Sequence, residues 1–246
     1  MMNNPLQCFK IKKMAILFRQ LFDKETETYT YLLADEDSKE AIIIDPVKEQ
    51  FPRDLQLIKE LELKLKYSLE THVHADHITS ADSLREKTGC KTITGQDTNV
   101  ECADENIADG ETRKFGRYSL KAISTPGHTN GCMSYLIENM VFTGDALFIR
   151  GNGRTDFQGG SSEKLYDSIR NKLFKLNPKT IVYPGHDYKG MTSTTIGEEI
   201  KYNPRINVNK TKEEFIEIMN NLKLAQPKRI QEAVPANLEC GAANKL

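Results

Sequence analysis

The stretch Thr71-His72-Val73-His74-Ala75-Asp76-His77 sets three imidazoles and a carboxylate side by side, directly after the β-type run Lys66-Tyr67-Ser68-Leu69-Glu70. A lone histidine is more often structural than a ligand, but groups that repel one another when protonated do not crowd together for packing alone. On an extended loop, residues i and i+2 can face one ion while i+4 and i+5 turn back towards it. Three downstream fragments have the same form: Thr125-Pro126-Gly127-His128, Phe142-Thr143-Gly144-Asp145 and Tyr183-Pro184-Gly185-His186. Each ends an apolar, β-rich run, and the glycine beside each ligand type allows a tight turn and close approach of backbone to an ion. Asp145 alone would read as a turn or N-cap residue; beside four strand-end histidine positions it reads as a ligand. All five histidines of the chain fall in these motifs.

The rest of the sequence sets the frame. It has 246 residues, with 34 Lys+Arg against 35 Asp+Glu and 38% hydrophobic residues, as expected for one large globular domain. A net charge of −1 gives no general reason to bind nucleic acid. No apolar run approaches the ~20 residues that span a bilayer, so no membrane role is expected. Cys8, Cys90, Cys102, Cys132 and Cys240 are odd in number, scattered and free of any C-x-x-C pair. The expectation is therefore no disulfide, no cysteine-based zinc site and a reducing compartment. Residues 1–13, with Lys10, Lys12 and Lys13 and no acid before Asp23, read as an extension preceding a single domain over 14–246. The cytoplasm is the expected location, with the mitochondrial matrix as the alternative if 1–13 are a presequence.

Residues 28–33 and 41–45 read as strands, a helix follows Pro52, and a second runs from Ile78 to Thr88 with Gly89 closing it. A third is capped near Ser161, and a last one opens on the capping box Thr211-x-x-Glu214. From Pro227 onward apolar periodicity fades, which predicts an irregular tail.

The set THVHADH, GHT, GDALF and PGHDY resembles the metallo-β-lactamase superfamily over about 14–241. That resemblance implies an α/β fold, a four-layer αβ/βα sandwich with metal at the sheet edges. Within it, Ile149-Arg-Gly-Asn-Gly-Arg-Thr-Asp-Phe-Gln158, Asp187-Tyr188 and Val234-Pro-Ala-Asn237 are similar to persulfide dioxygenases, although that family often has Cys where Asn152 stands. The resemblance implies one Fe(II) per chain on His72, His128 and Asp145, a two-His, one-carboxylate set with open positions. His74, Asp76, His77 and His186 are left as a second site or a supporting shell. It further implies glutathione persulfide and O2 as reactants, sulfite and glutathione as products, and compatibility with a homodimer. Arg154 and Tyr188 match substrate-contacting positions, and Arg205 is a further candidate for the glycyl carboxylate. The alternative is a glyoxalase II-like hydrolase of glutathione thioesters with two metals; its whole ligand set is also present, so the ligands alone do not separate the two.

Overall fold

A computed structural model describes residues 16–242, so the predicted extension 1–13 lies outside the described residues. The first sheet runs in sequence order: β1 (Leu17–Asp23), β2 (Thr28–Ala34), β3 (Glu40–Ile44), β4 (Lys64–Leu69), β5 (Lys91–Gly95) and β6 (Glu105–Ile107). The second also runs in order: β7 (Thr112–Phe115), β8 (Tyr118–Ser124), β9 (Met133–Ile137), β10 (Met140–Gly144), β11 (Ile181–Pro184) and β12 (Thr194–Thr195). Strands β3 to β6 are parallel, and β10 is parallel to β11; the other pairings are antiparallel.

The period-2 alternation of side chains explains the layers. In β2, Tyr29, Tyr31 and Leu33 point between the sheets, where they meet Tyr135 and Phe142 of the second sheet. Leu32 and Ala34 point outward, to Ile58 of α1 (Phe51–Glu60) and Leu84 of α2 (Ala81–Thr88). Both faces of β2 are buried, so it reads as the unbroken apolar-aromatic run TYTYLLA rather than an alternating one. Across the molecule, Val141 and Val182 pack against Leu165 and Ile169 of α3 (Ser162–Asn171), Ile196 of α4 (Ile196–Tyr202) and Phe215 of α5 (Lys212–Asn220). Helix, sheet, sheet, helix is the predicted sandwich.

The sequence signals for helix ends hold: Gly89 is left-handed at φ 72°, Ser161 accepts from the Lys164 amide, and the Thr211–Glu214 capping box is complete. Three readings are corrected. The second helix starts at Ala81, because Ile78, Thr79 and Ser80 are tied by backbone bonds to Pro46, Val47 and Lys48. The tail is not irregular: Ile230–Leu238 forms α6 despite Pro235 inside it, anchored by buried Ala233 and Asn237 rather than by an apolar stripe. The expectation of no disulfide fails as well. Cys102 and Cys240, 138 residues apart, are bonded to each other, because α6 returns the chain end to the segment between β5 and β6. Cys90 and Cys132 are free and buried. The argument from unpaired cysteines to a reducing compartment goes with it.

Candidate metal centre

Every metal-type motif lies just past the C-terminal end of a strand, and both sheets deliver there. The loop after β4 carries His72, His74, Asp76 and His77, while His128 follows β8 and Asp145 and His186 follow β10 and β11. The parallel β10–β11 pair aligns Gly144 with Pro184 and so sets Asp145 beside His186. Hydrogen bonds stitch the sheets together at this point: Met133 N to Thr71 O at 2.7 Å, Tyr29 N to Gly185 O at 2.8 Å, and Tyr31 Oη to Pro184 O at 2.6 Å. Gly127 is needed before His128: its φ is 142°, and a Cβ there would lie 2.3 Å from the Leu165 backbone.

In each of the five histidines one ring nitrogen is engaged by the protein. His128 Nδ1 donates to Arg154 O at 2.7 Å and His186 Nδ1 to Glu27 O at 3.1 Å. His72 Nδ1 meets Thr71 Oγ1 at 3.0 Å, a hydroxyl that itself donates to Asp45 Oδ2. His77 Nδ1 meets Asp76 Oδ2 at 2.9 Å. His74 is reversed: its Nε2 lies 3.1 Å from Asp45 Oδ1 and 3.2 Å from Glu70 Oε2. Fixing one nitrogen sets the tautomer and aims the other, which is the usual support for a metal-binding imidazole.

The aimed atoms converge. One ligand atom each from His72, His128 and Asp145 fall within 4.8 Å of one another, as do those of His74, Asp76 and His77. Asp145 faces both His128 and His186, with Oδ2 3.6 Å from His128 Nε2 and Oδ1 3.6 Å from His186 Nε2, too far apart for hydrogen bonds. His74 Nδ1, His77 Nε2 and Asp145 Oδ1 are buried without a hydrogen-bond partner among the described residues. Each such atom costs about 1–3 kcal/mol unless something satisfies it, and the nitrogen and carboxylate donors fit a metal ion. The third close group, Asp45, Glu70 and His74, is accounted for by the carboxylate support of His74.

Electrostatics follow the same division. Burial, reinforced by the neighbouring imidazoles of His74 and His128, holds His72 well below its ordinary pKa and hence neutral. Burial also works against protonated His74 and His186, but the Asp45 and Glu70 carboxylates outweigh it at the first and Asp145 and Asp76 at the second, so both are raised. Asp76 is pushed well down, because His77 and His186 overcome its burial. Cys132, beside His128 in sequence, is pushed up to about 12 by burial, an inert thiol.

A cleft of about 460 Å³ opens over His128, Asp145 and His186, within the size range of small-molecule sites. Its wall is the 148–154 segment, Asp187 to Lys189, Arg205, and Leu224, Ala225 and Pro227. The three predicted substrate residues all line it but differ in state. The Arg154 fork is taken by Asp156, at 2.6 and 2.7 Å, and by Ala225 O. Arg205 donates to Asn152 O at 2.8 Å and has no carboxylate partner among the described residues. Tyr188 is 62% exposed and stacks on the His186 ring at 5.8 Å. Sequence reasoning missed Asp45, Glu70, the Arg154 carbonyl and the role of Asn237, which donates to the His74 and His77 carbonyls. A buried Asp at a strand end, in Ile44-Asp45-Pro46, was the one available signal.

Comparison with known proteins agrees with this fold. Residues 24–186 match the metallo-β-lactamase superfamily model. The Mus musculus protein named persulfide dioxygenase ETHE1, mitochondrial, is 48% identical over 92% of this chain and 89% of its own length, and the Homo sapiens protein of that name gives the same figures. A crystal structure of ETHE1 from Myxococcus xanthus superposes with a TM-score of 0.90 at 51% identity, covering 92% of this chain and all of that one.

Proposed function

The chain belongs to the metallo-β-lactamase superfamily, in its persulfide dioxygenase branch, and from that membership we propose that it oxidises glutathione persulfide. Persulfide, O2 and water give sulfite, the free thiol and two protons. Kinship along nine-tenths of the chain carries this reading, and the convergence of His72, His128 and Asp145 supports it. The proposed cofactor is one Fe(II) per chain on these three residues. Bound by these three residues, iron would supply the electron chemistry that joins O2 to sulfur.

The remaining roles belong to the chain. The Arg154 carbonyl holds the Nδ1 proton of His128, so Nε2 faces the site unprotonated. His186 is aimed in the same way by Glu27 O. Arg205, a cation without a counter-charge among the described residues, takes the glycyl carboxylate of the tripeptide. Lys189 adds positive charge to the cleft, favouring a persulfide that enters as the anion. Tyr188 flanks the mouth over His186, and Leu224, Ala225 and Pro227 form an apolar wall that limits water around the reacting sulfur. Arg154 acts through its carbonyl and its wall position, since Asp156 occupies its guanidinium.

One observation favours a second reading. Asp145 Oδ1 and Asp76 Oδ2 each lie 3.6 Å from His186 Nε2, a second cluster of the kind a two-metal thioester hydrolase would require. Metal content and turnover separate the two. Close to one iron per chain with O2 uptake and sulfite release on persulfide supports the dioxygenase. Two zinc ions, thioester hydrolysis and no O2 uptake would replace it with the hydrolase. We further propose a single domain over 14–246, a homodimer, and a cytoplasmic location with the mitochondrial matrix as the alternative; light scattering and localisation of the tagged full chain test the last two. No helix among the described residues is long and apolar enough to cross a membrane.

A further inference from the structure

The loop that bears four of the metal-type residues has no regular secondary structure of its own, yet one side chain holds three of its backbone groups. Asn237 Oδ1 accepts from Thr79 N at 2.8 Å, and Nδ2 donates to His74 O at 2.9 Å and His77 O at 2.8 Å. These bonds fix the turn that carries Asp76 and His77 past His74. Asn237 is 5% exposed and sits three residues before Cys240, whose disulfide to Cys102 ties the end of α6 to the β5–β6 segment. The turn that follows is seated on the same loop. Asp82 N donates to Cys240 O at 3.1 Å, and Gly241, at φ 73°, lies where a Cβ would be 2.0 Å from Thr79 O.

We propose that Asn237 is a positioning residue for the metal-bearing loop and that the Cys102–Cys240 disulfide keeps it seated, so that metal retention depends on the oxidation state of this cysteine pair. A thiol reductant cleaves the S–S bond with two electrons and two protons, leaves two cysteine thiols and is itself oxidised to a disulfide. α6 is then held by non-covalent contacts alone. The inference rests on the metal assignment above but not on the reaction.

The test follows iron release from the as-isolated protein to a ferrous chelator under anaerobic conditions, with hydrogen exchange of amides 72–80 as the second readout. Asn237→Asp keeps the acceptor for Thr79 but loses both donations. It is expected to release iron about tenfold faster, the low end of the range for losing a supporting group outside the metal's own ligands, because the loop that carries the ligand His72 loses two of its anchors, with faster exchange in the loop and unchanged exchange in β10 and α3. Cys102→Ser should shift release in the same direction; reductant should bring the parent protein to that rate and leave the Cys102→Ser protein unchanged. Release within twofold of the parent for Asn237→Asp, with an unaltered loop, would overturn the proposal. Parent-like release for Cys102→Ser and for the reduced parent would overturn the part assigned to the disulfide. Neither readout needs turnover, so either result is independent of whether persulfide is oxidised.

Discussion

The assignment of Arg205 as the carboxylate anchor makes a quantitative prediction. Its guanidinium lines the cleft, half-buried, and spends one donor on Asn152 O, leaving its outer edge and full charge for a ligand. A charge-assisted hydrogen bond to a carboxylate in such a setting is worth about 1.5–3 kcal/mol, or roughly 10- to 150-fold in binding. Arg205→Met keeps most of the apolar stem, so KM for glutathione persulfide should rise by about that factor while kcat falls much less. Arg154→Met removes a guanidinium already neutralised by Asp156, so its effect on KM should be smaller. O2 uptake at varied persulfide concentration measures both. The sharper comparison uses γ-glutamylcysteine persulfide, which lacks the glycyl carboxylate. The parent enzyme should lose with that substrate what Arg205→Met loses with the full tripeptide, and the variant should barely distinguish the two. A KM within about twofold of the parent for Arg205→Met, or equal penalties for the truncated substrate in both proteins, would refute the assignment.

Other outcomes follow from the same geometry. His128→Ala should remove iron binding, read by metal analysis of the purified protein, with secondary structure kept by circular dichroism. Gly127→Ala should cost about 1–3 kcal/mol from its positive φ alone, and more from the clash with Leu165, seen as a lower melting temperature together with reduced iron content. Asp54 is buried in α1, and burial raises its pKa to about 6 despite Arg53 alongside. For an acid whose folded pKa is raised, stability falls as pH climbs from about 4 to about 6 and stays low above. Asp54→Asn should therefore raise the melting temperature at pH 8, by an amount that shrinks towards zero near pH 4; an equal gain at both pH values would contradict this.

The legible part of the site was the part made of rare residue types at short spacing. Histidines 72, 74 and 77 announce themselves, and the turn glycines place 128, 145 and 186 at strand ends. The supporting groups carried no such mark. Asp45 reaches His74 across 29 residues and Asn237 reaches it across 163. The group that orients His128 is a backbone carbonyl, which any residue would supply. Helix ends followed the same rule: Thr211–Glu214 was readable because an apolar stripe follows it, whereas the complete capping box Thr195–Glu198 opens a helix of only seven residues, too short to show a stripe. The Cys102–Cys240 pair was hidden because an odd cysteine count at wide spacing says nothing about which distant segments the fold brings together.

The metal-type residues come from two separate sheets: His72 and its loop from the first, His128, Asp145 and His186 from the second. An ion seated among them is therefore a bolt through both halves of the molecule. Any ligand that binds only the folded state adds RT ln(1 + [L]/Kd) to stability, and here that increment falls on the seam along which the sheets would part. If the proposed iron is that ion, metal supply would set how long each copy survives proteolysis as well as how fast it works.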